Sequence, residues 1–141
     1  MFILSLALYV ATMCRTVFWW DTGELAANAG ILGIPHRPGF PLYVIVAHLM
    51  TLTPFGDVFY RVNFLSAASA AVALAFLAYL WYELAAQQLR PRRRWEAIAP
   101  VTMSLLAMAG TYTLWMQAVR AEVYAPNLML VTLLFGCVWG A

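Results

Sequence analysis

The chemistry in this 141-residue chain rests on six acidic residues, eight basic residues and two histidines, spread thinly through an apolar background. The stretch Trp19-Trp20-Asp21-Thr22-Gly23-Glu24 sets two carboxylates directly after an apolar run, where a chain leaving hydrocarbon first meets water. An ionisable pair at that depth is costly unless it faces a polar cavity or a partner, so it marks a functional site by default. Asp21 and Glu24 are three residues apart and share one face if a helix begins straight after the tryptophans. Two neighbouring carboxylates in a partly dehydrated site push their proton affinities apart, which leaves one able to act as a base at neutral pH. That suits removal of a proton from an attacking hydroxyl. The purely structural alternative has Glu24 stabilising a helix N-terminus and Asp21 pairing with Arg15.

The other polar landmarks can be placed on the same side. His36-Arg37, stiffened by Pro35 and Pro38, offers a pH-sensitive donor and a forked cation for a phosphate, either that of a substrate or that of ordinary lipid headgroups. Arg61 with Asn63, and Arg120 with Glu122, read as ties between span ends and the outer loop or as further walls of one site. His48, among apolar neighbours, lacks the second ligand that haem or a chlorophyll-type magnesium would need, and reads as a packed histidine. No metal-ligand spacing, nucleophile elbow or phosphate-cradling glycine loop stands in the sequence, and no metal is expected. Cys14 and Cys137 lie in apolar runs, where they pack as small hydrophobes.

The elements that must position these residues are those of a membrane protein. Apolar residues make up 65% of the chain and charged residues 10%, against roughly a half and a quarter in soluble domains. The fold class is therefore an all-α integral membrane protein. Residues 1–141 form one membrane domain of about four transmembrane helices, with 21–57 an external loop region of short interfacial or re-entrant helices. The crossings are Phe2 to Trp20, a retained first span and not a cleaved signal; Val62 to Tyr82; Ala97 to Val119; and a start inwards from Leu128. Thr22 to Gly33 forms a short surface helix with Thr22 as N-cap and Gly33 as stop. Leu42 to Phe55, opened by Pro41, is too short to cross. All eight basic residues are arginine, four of them within Arg90 to Arg94. Positive-inside counting makes that loop cytoplasmic and the Asp21 loop external, in a bacterial inner membrane. A single local cluster of this kind does not suggest nucleic-acid binding. The expected partners are membrane lipids and other transmembrane subunits.

Taken in order, Trp20-Asp21-Thr22-Gly23-Glu24, Leu32-Gly33-Ile34-Pro35-His36-Arg37-Pro38-Gly39-Phe40-Pro41-Leu42-Tyr43, Arg61-Val62-Asn63-Phe64-Leu65-Ser66-Ala67 and Ala121-Glu122-Val123-Tyr124 resemble the DUF2723 family. That family includes the TMEM260-type protein O-mannosyltransferases, and its architecture is similar to the GT-C class of membrane glycosyltransferases. The resemblance implies an inverting transfer from a polyprenyl-phosphate sugar to a hydroxyl on the outer face, with no further cofactor. It implies Asp21 as the base, with Glu24 as the neighbouring candidate; His36, Arg37 and Arg120 are expected to hold the donor phosphate on charge and side alone. Arg37 departs from the pattern, where a proline would follow the histidine. GT-C enzymes carry many more spans, so the resemblance covers an N-terminal module, expected to be inactive alone. A different class of function is a structural subunit of a large membrane complex, photosynthetic or respiratory, which the alanine-rich packing face favours.

Overall fold

The computed structural model describes residues 1–89 and 94–139, all of whose regular structure is helical. The arginine cluster from Arg90 to Arg93 lies outside the described residues. Seven helices follow in order: α1 (Phe2–Thr12), α2 (Thr22–Ile31), α3 (Pro41–Thr51), α4 (Val58–Leu89), α5 (Arg94–Ala109), α6 (Tyr112–Ala118) and α7 (Tyr124–Trp139).

The axis of the fold is α4. Its first turn is capped by Asp57, whose carboxylate accepts from the Tyr60 N–H at 2.8 Å, satisfying one of the orphan donors of a helix start. From there the small residues Ala67, Ala70, Ala71 and Ala73, together with Ser66 and Ser69, are buried. Small side chains let neighbouring helices approach closely, and α4 packs against α1, α2, α3, α5, α6 and α7. Two apolar clusters result. One gathers Tyr9, Met13, Ala67, Leu74, Leu105 and Val119 from α1, α4 and the α5–α6 region. The other gathers Leu25, Ala29, Tyr43, Val44, Ala47, Val62 and Val123, joining α2 and α3 to the start of α4.

One helix, Val58–Gln88, is long and apolar enough to cross a membrane, and the pair Trp95–Ala109 and Tyr112–Ala118, bent by 71°, makes a second if it is counted as one broken span. Two readings of the sequence need correction here. The first span does not run from Phe2 to Trp20: α1 stops at Thr12 and Met13 turns extended. The cause is tertiary, because the Cys14 N–H donates to the Val119 carbonyl at 2.8 Å and the Cys14 carbonyl accepts from Asn63 Nδ2 at 2.8 Å. Once those groups are bonded across the fold, continuing the helix gains nothing. Nor does Ala97 to Val119 form one straight rod, since the chain breaks at Gly110 and Thr111. The Thr111 hydroxyl and N–H both turn back to the Met108 carbonyl, and a side chain that bonds the preceding turn in this way ends a helix.

Candidate functional site

The site is assembled by the two short helices and the loop between them. Asp21, and not Thr22, holds the N-cap position of α2, and its carbonyl accepts the Leu25 N–H. At the other end the left-handed residue is Leu32, one before the expected glycine stop, at φ +54°. A Cβ at Gly33 would meet the side-chain amide of Asn28, which would have to turn aside. The chain then turns through His36, whose carbonyl accepts the Gly39 N–H at 2.9 Å, and enters α3 through Phe40 and Pro41.

This path returns His36 to the start of α2. Its backbone N–H donates to Glu24 Oε1 at 2.6 Å, its Nδ1 lies 2.9 Å from Glu24 Oε2, and its Nε2 lies 3.9 Å from Asp21 Oδ2. The imidazole edge also meets the Phe40 ring, 5.7 Å between centroids. The ion pairs of Asp21 and Glu24 among the described residues are thus with His36, not with Arg15. The hydrogen bonds from His36 hold the Glu24 carboxyl below its usual range, and Glu24 in turn raises the His36 imidazole above its own. The carboxyl pushed upwards is Glu122, by burial, with the Arg120 guanidinium working against that rise and Asp21 adding to it.

Folding places one ligand atom each from Asp21, Glu24 and His36 within 4.8 Å of one another. The linear separations of three and twelve residues hide this, because the proline loop closes the distance. A nitrogen and carboxylate oxygens form a donor set compatible with a divalent metal, although here the imidazole already occupies Glu24.

Behind the cluster lies the buried turn at 120–123. Arg120 is 4% exposed and Glu122 3%, and they pair at 3.3 Å. The guanidinium also lies over two rings, 5.1 Å from the Trp20 centroid and 5.7 Å from that of Phe18. Trp20 reaches this position with φ +73°, a conformation that a bulky residue holds only when its surroundings over-determine it. Buried Asn63 fastens the same region, taking the Ala121 N–H at 2.7 Å on Oδ1 while its Nδ2 holds the Cys14 carbonyl. The Ser66 hydroxyl meets both backbone groups of Glu122 at 3.2 Å. Asp21 and the 120–122 turn therefore sit on one side of the fold.

The remaining candidates are used differently. The Arg61 guanidinium donates to the carbonyls of Thr51, Phe55 and Gly56 at 2.5, 2.6 and 2.8 Å, which closes the α3–α4 connection. His48 Nδ1 donates to the Ala29 carbonyl at 2.8 Å and ties α3 to α2. Arg37 is exposed at the tip of the loop, beside a cis peptide bond to Pro38. Gln117 escaped the sequence reading altogether. Its Oε1 is buried without a partner, as is Arg120 Nε, and nothing in the apolar pattern around it signals this.

Fold and site together define an all-helical module with one or two candidate membrane spans and a carboxylate–histidine cluster braced by a buried arginine. Residues 21–140 match the family described as Protein O-mannosyl-transferase TMEM260 N-terminal domain, and the chain belongs to that family. It is 35% identical over 133 residues to Protein O-mannosyl-transferase TMEM260 of Mus musculus, covering 91% of this chain and 17% of that protein. It is 26% identical over 146 residues to Protein O-mannosyl-transferase tmem260 of Dictyostelium discoideum, covering 99% of this chain and 16% of that protein. The chain thus spans about a sixth of the length of these relatives. No solved structure matches it.

Proposed function

We propose that this chain is the amino-terminal membrane module of a GT-C-like O-mannosyltransferase that draws its sugar from a polyprenyl-phosphate donor. The observation that carries the reading is the Asp21–Glu24–His36 cluster, set beside the buried Arg120 turn in a chain of the TMEM260 N-terminal family. Asp21 takes the proton from the acceptor hydroxyl. That oxygen forms the new bond to the anomeric carbon from the face opposite the leaving group, and the bond from that carbon to the phosphate oxygen breaks, so the configuration inverts. Glu24 holds His36 by two hydrogen bonds, and the imidazole is thereby kept facing Asp21. The exposed Arg37 at the loop tip is placed to meet the donor phosphate, for which a guanidinium gives a forked pair of bonds. Arg61, with three carbonyls already bonded, serves the loop and not the donor.

In the membrane, α1, α4, the bent α5–α6 pair and α7 form the four embedded elements, with the Asp21 loop outside and the Arg90 to Arg94 segment in the cytoplasm. Support comes from the outward apolar side chains: Ile3, Met103 and Val138 are 78%, 69% and 79% exposed. Exposed apolar surface on this scale marks contact with lipid or with other transmembrane chains. The same faces favour a second reading, an accessory subunit of a larger membrane assembly.

The test is transfer from a mannosyl polyprenyl phosphate, measured in membranes carrying the chain within its natural protein. Asp21→Asn should lower turnover by about 10²–10⁴, the usual contribution of a general base. Equal rates in wild type and Asp21→Asn would remove Asp21 from the mechanism.

A further inference from the structure

For a proposed base, Asp21 is loosely held by its own side chain. Its Oδ2 stands 3.9 Å from His36 Nε2, beyond hydrogen-bond reach, and the side chain is 52% exposed. Its place is therefore set by its backbone, which enters α2 through Trp20. That residue has φ +73°, a left-handed conformation that a bulky side chain adopts only under constraint from its surroundings. Burial among apolar neighbours does not supply the constraint, since Trp20 is 80% exposed. What the indole meets is the guanidinium of Arg120, 5.1 Å from the ring centroid. The cation is seated from behind: Glu122 pairs with it at 3.3 Å, and both side chains are 4% exposed. The Arg120 Nε–H has no partner among the described residues, so the guanidinium is held by Glu122 and by the Trp20 and Phe18 rings. The turn that carries the pair is fastened to α4 by Asn63 and Ser66.

We infer that Arg120 is a positioning residue for Asp21, acting through Trp20: the buried Glu122–Arg120 pair seats the indole, the seated indole holds Trp20 left-handed, and the Trp20–Asp21 peptide then fixes where the carboxylate points. A continuous path of contacts thus runs from α4, the axis of the fold, to an exposed carboxylate on an irregular turn. Catalytic geometry tolerates little displacement, about 1 Å costing about 10²-fold, and a group outside regular structure reaches that precision only when rigid elements support it. Holding a phosphate is a poorer use of Arg120. Its charge is already met by Glu122 and its guanidinium lies against two rings, whereas Arg37 stands open at the loop tip. Arginine suits the positioning role better than lysine, because a planar guanidinium stacks on rings while an ammonium is a compact point charge. In its consequence for catalysis the inference rests on the transferase reading. The link from Arg120 to Asp21 does not.

The experiment uses the chain within its natural protein and measures two things: transfer from a mannosyl polyprenyl phosphate, and hydrogen exchange at the start of α2. Trp20→Leu removes the ring from an exposed position and leaves every charge in place. It should lower kcat by about 10–10²-fold, with the donor KM within about twofold of wild type, the pattern of a group that acts only on the transition state. Trp20→Gly adopts positive φ freely, so it should be faster than Trp20→Leu although it removes more of the side chain. Arg120→Lys should fall between wild type and Arg120→Gln combined with Glu122→Gln, which removes both members of the buried pair and strands neither charge. Adding Trp20→Leu to that combination should cost little more, because both break the same path. The Leu25 N–H bonds the Asp21 carbonyl at 2.8 Å, and its exchange should quicken in Trp20→Leu while amides in the middle of α4 keep their wild-type rates. A raised donor KM at unchanged kcat would make these residues donor contacts and overturn the inference. So would additive losses, equal rates in Trp20→Gly and Trp20→Leu, or wild-type kcat and exchange in Trp20→Leu. Failure of the two readings is separable. Absence of transfer in the wild type sinks the transferase and leaves Leu25 exchange to decide the positioning, whereas Asp21-dependent transfer that Trp20→Leu leaves unchanged sinks the positioning alone.

Discussion

At the scale of single residues, His36 is the side chain on which the candidate site turns, because it joins a loop tip to both carboxylates of α2. Its folded proton affinity is raised, so its stabilising charge is fully present below its ordinary pKa of 6.5 and is lost as the pH rises through the higher folded value. Glu24 runs the other way. Its folded pKa is lowered from 4.5, so its contribution is present above that value and disappears as the pH falls through the lower folded one. The pair is therefore intact from below the ordinary carboxylate range to above the ordinary histidine range. An NMR titration of the two imidazoles should place the His36 midpoint above 6.5, and Glu24→Gln should bring it back down. A His36 midpoint unmoved by Glu24→Gln would break the link. Asn63 supplies a second residue-scale expectation. It bonds the Ala121 N–H and the Cys14 carbonyl from a fully buried position, so Asn63→Ala strands a backbone donor and an acceptor at once. The loss should be about 1–3 kcal/mol for each group, read as a fall in the midpoint of thermal or denaturant unfolding.

At the scale of elements, sequence and structure agree where local pattern decides and part where distant groups decide. The charge-free, alanine-dense run from Val62 to Tyr82 reads as a closely packed helix, and it lies inside α4. Proline at the first position of α3 and the glycine-proline loop before it are equally plain. The end of α1 is not, because Thr12, Met13 and Cys14 continue an apolar run whose helix is stopped by bonds to Val119 and Asn63, more than forty residues away. The cluster at Asp21 was half legible. The two carboxylates stand out at helical spacing, but their partner comes from a loop whose turn is set by Gly39 at φ +87° and Phe40 at φ +41°. Gln117 carried no signal at all, since an isolated amide in an apolar helix becomes notable only when its oxygen proves unpartnered. Packing between elements yields its own prediction at Gly136, on α7. A Cβ there would stand 2.0 Å from Phe76 Cε1 on α4, whose ring is already set against Tyr79 at 6.1 Å between centroids. Gly136→Ala should therefore cost about 1–3 kcal/mol through overpacking. Alanine is the better helix former, so an unfolding midpoint that rises in this variant would show that the two helices are not so closely apposed.

For the whole molecule, the question is how α4 lies relative to the bilayer, since every other element packs on it. At 1.5 Å per residue its 32 residues reach roughly 48 Å, well beyond a hydrocarbon core of about 30 Å. A helix of that length either tilts or carries its ends out into water. Its ends are polar in character: Asp57 caps one, with Arg61 bonded back to the loop carbonyls, and Gln87 and Gln88 stand near the other with Gln88 exposed. The middle, free of charge from Val62 to Tyr82, is the part that suits lipid and packed helices. In the proposed orientation Arg37 and Gln88, both exposed, fall on opposite faces of the membrane. In a background with Cys14 and Cys137 replaced by alanine, Arg37→Cys should react with a membrane-impermeant maleimide added outside intact cells. Gln88→Cys should react only once the membrane is opened. Labelling of both from outside would mean that α4 lies along the surface, and the arrangement of Asp21, His36 and Arg120 on one outer face would lose its frame. Labelling of Gln88→Cys alone would invert the orientation, turning the carboxylate cluster towards the cytoplasm, where an acceptor on the outer face could not reach it.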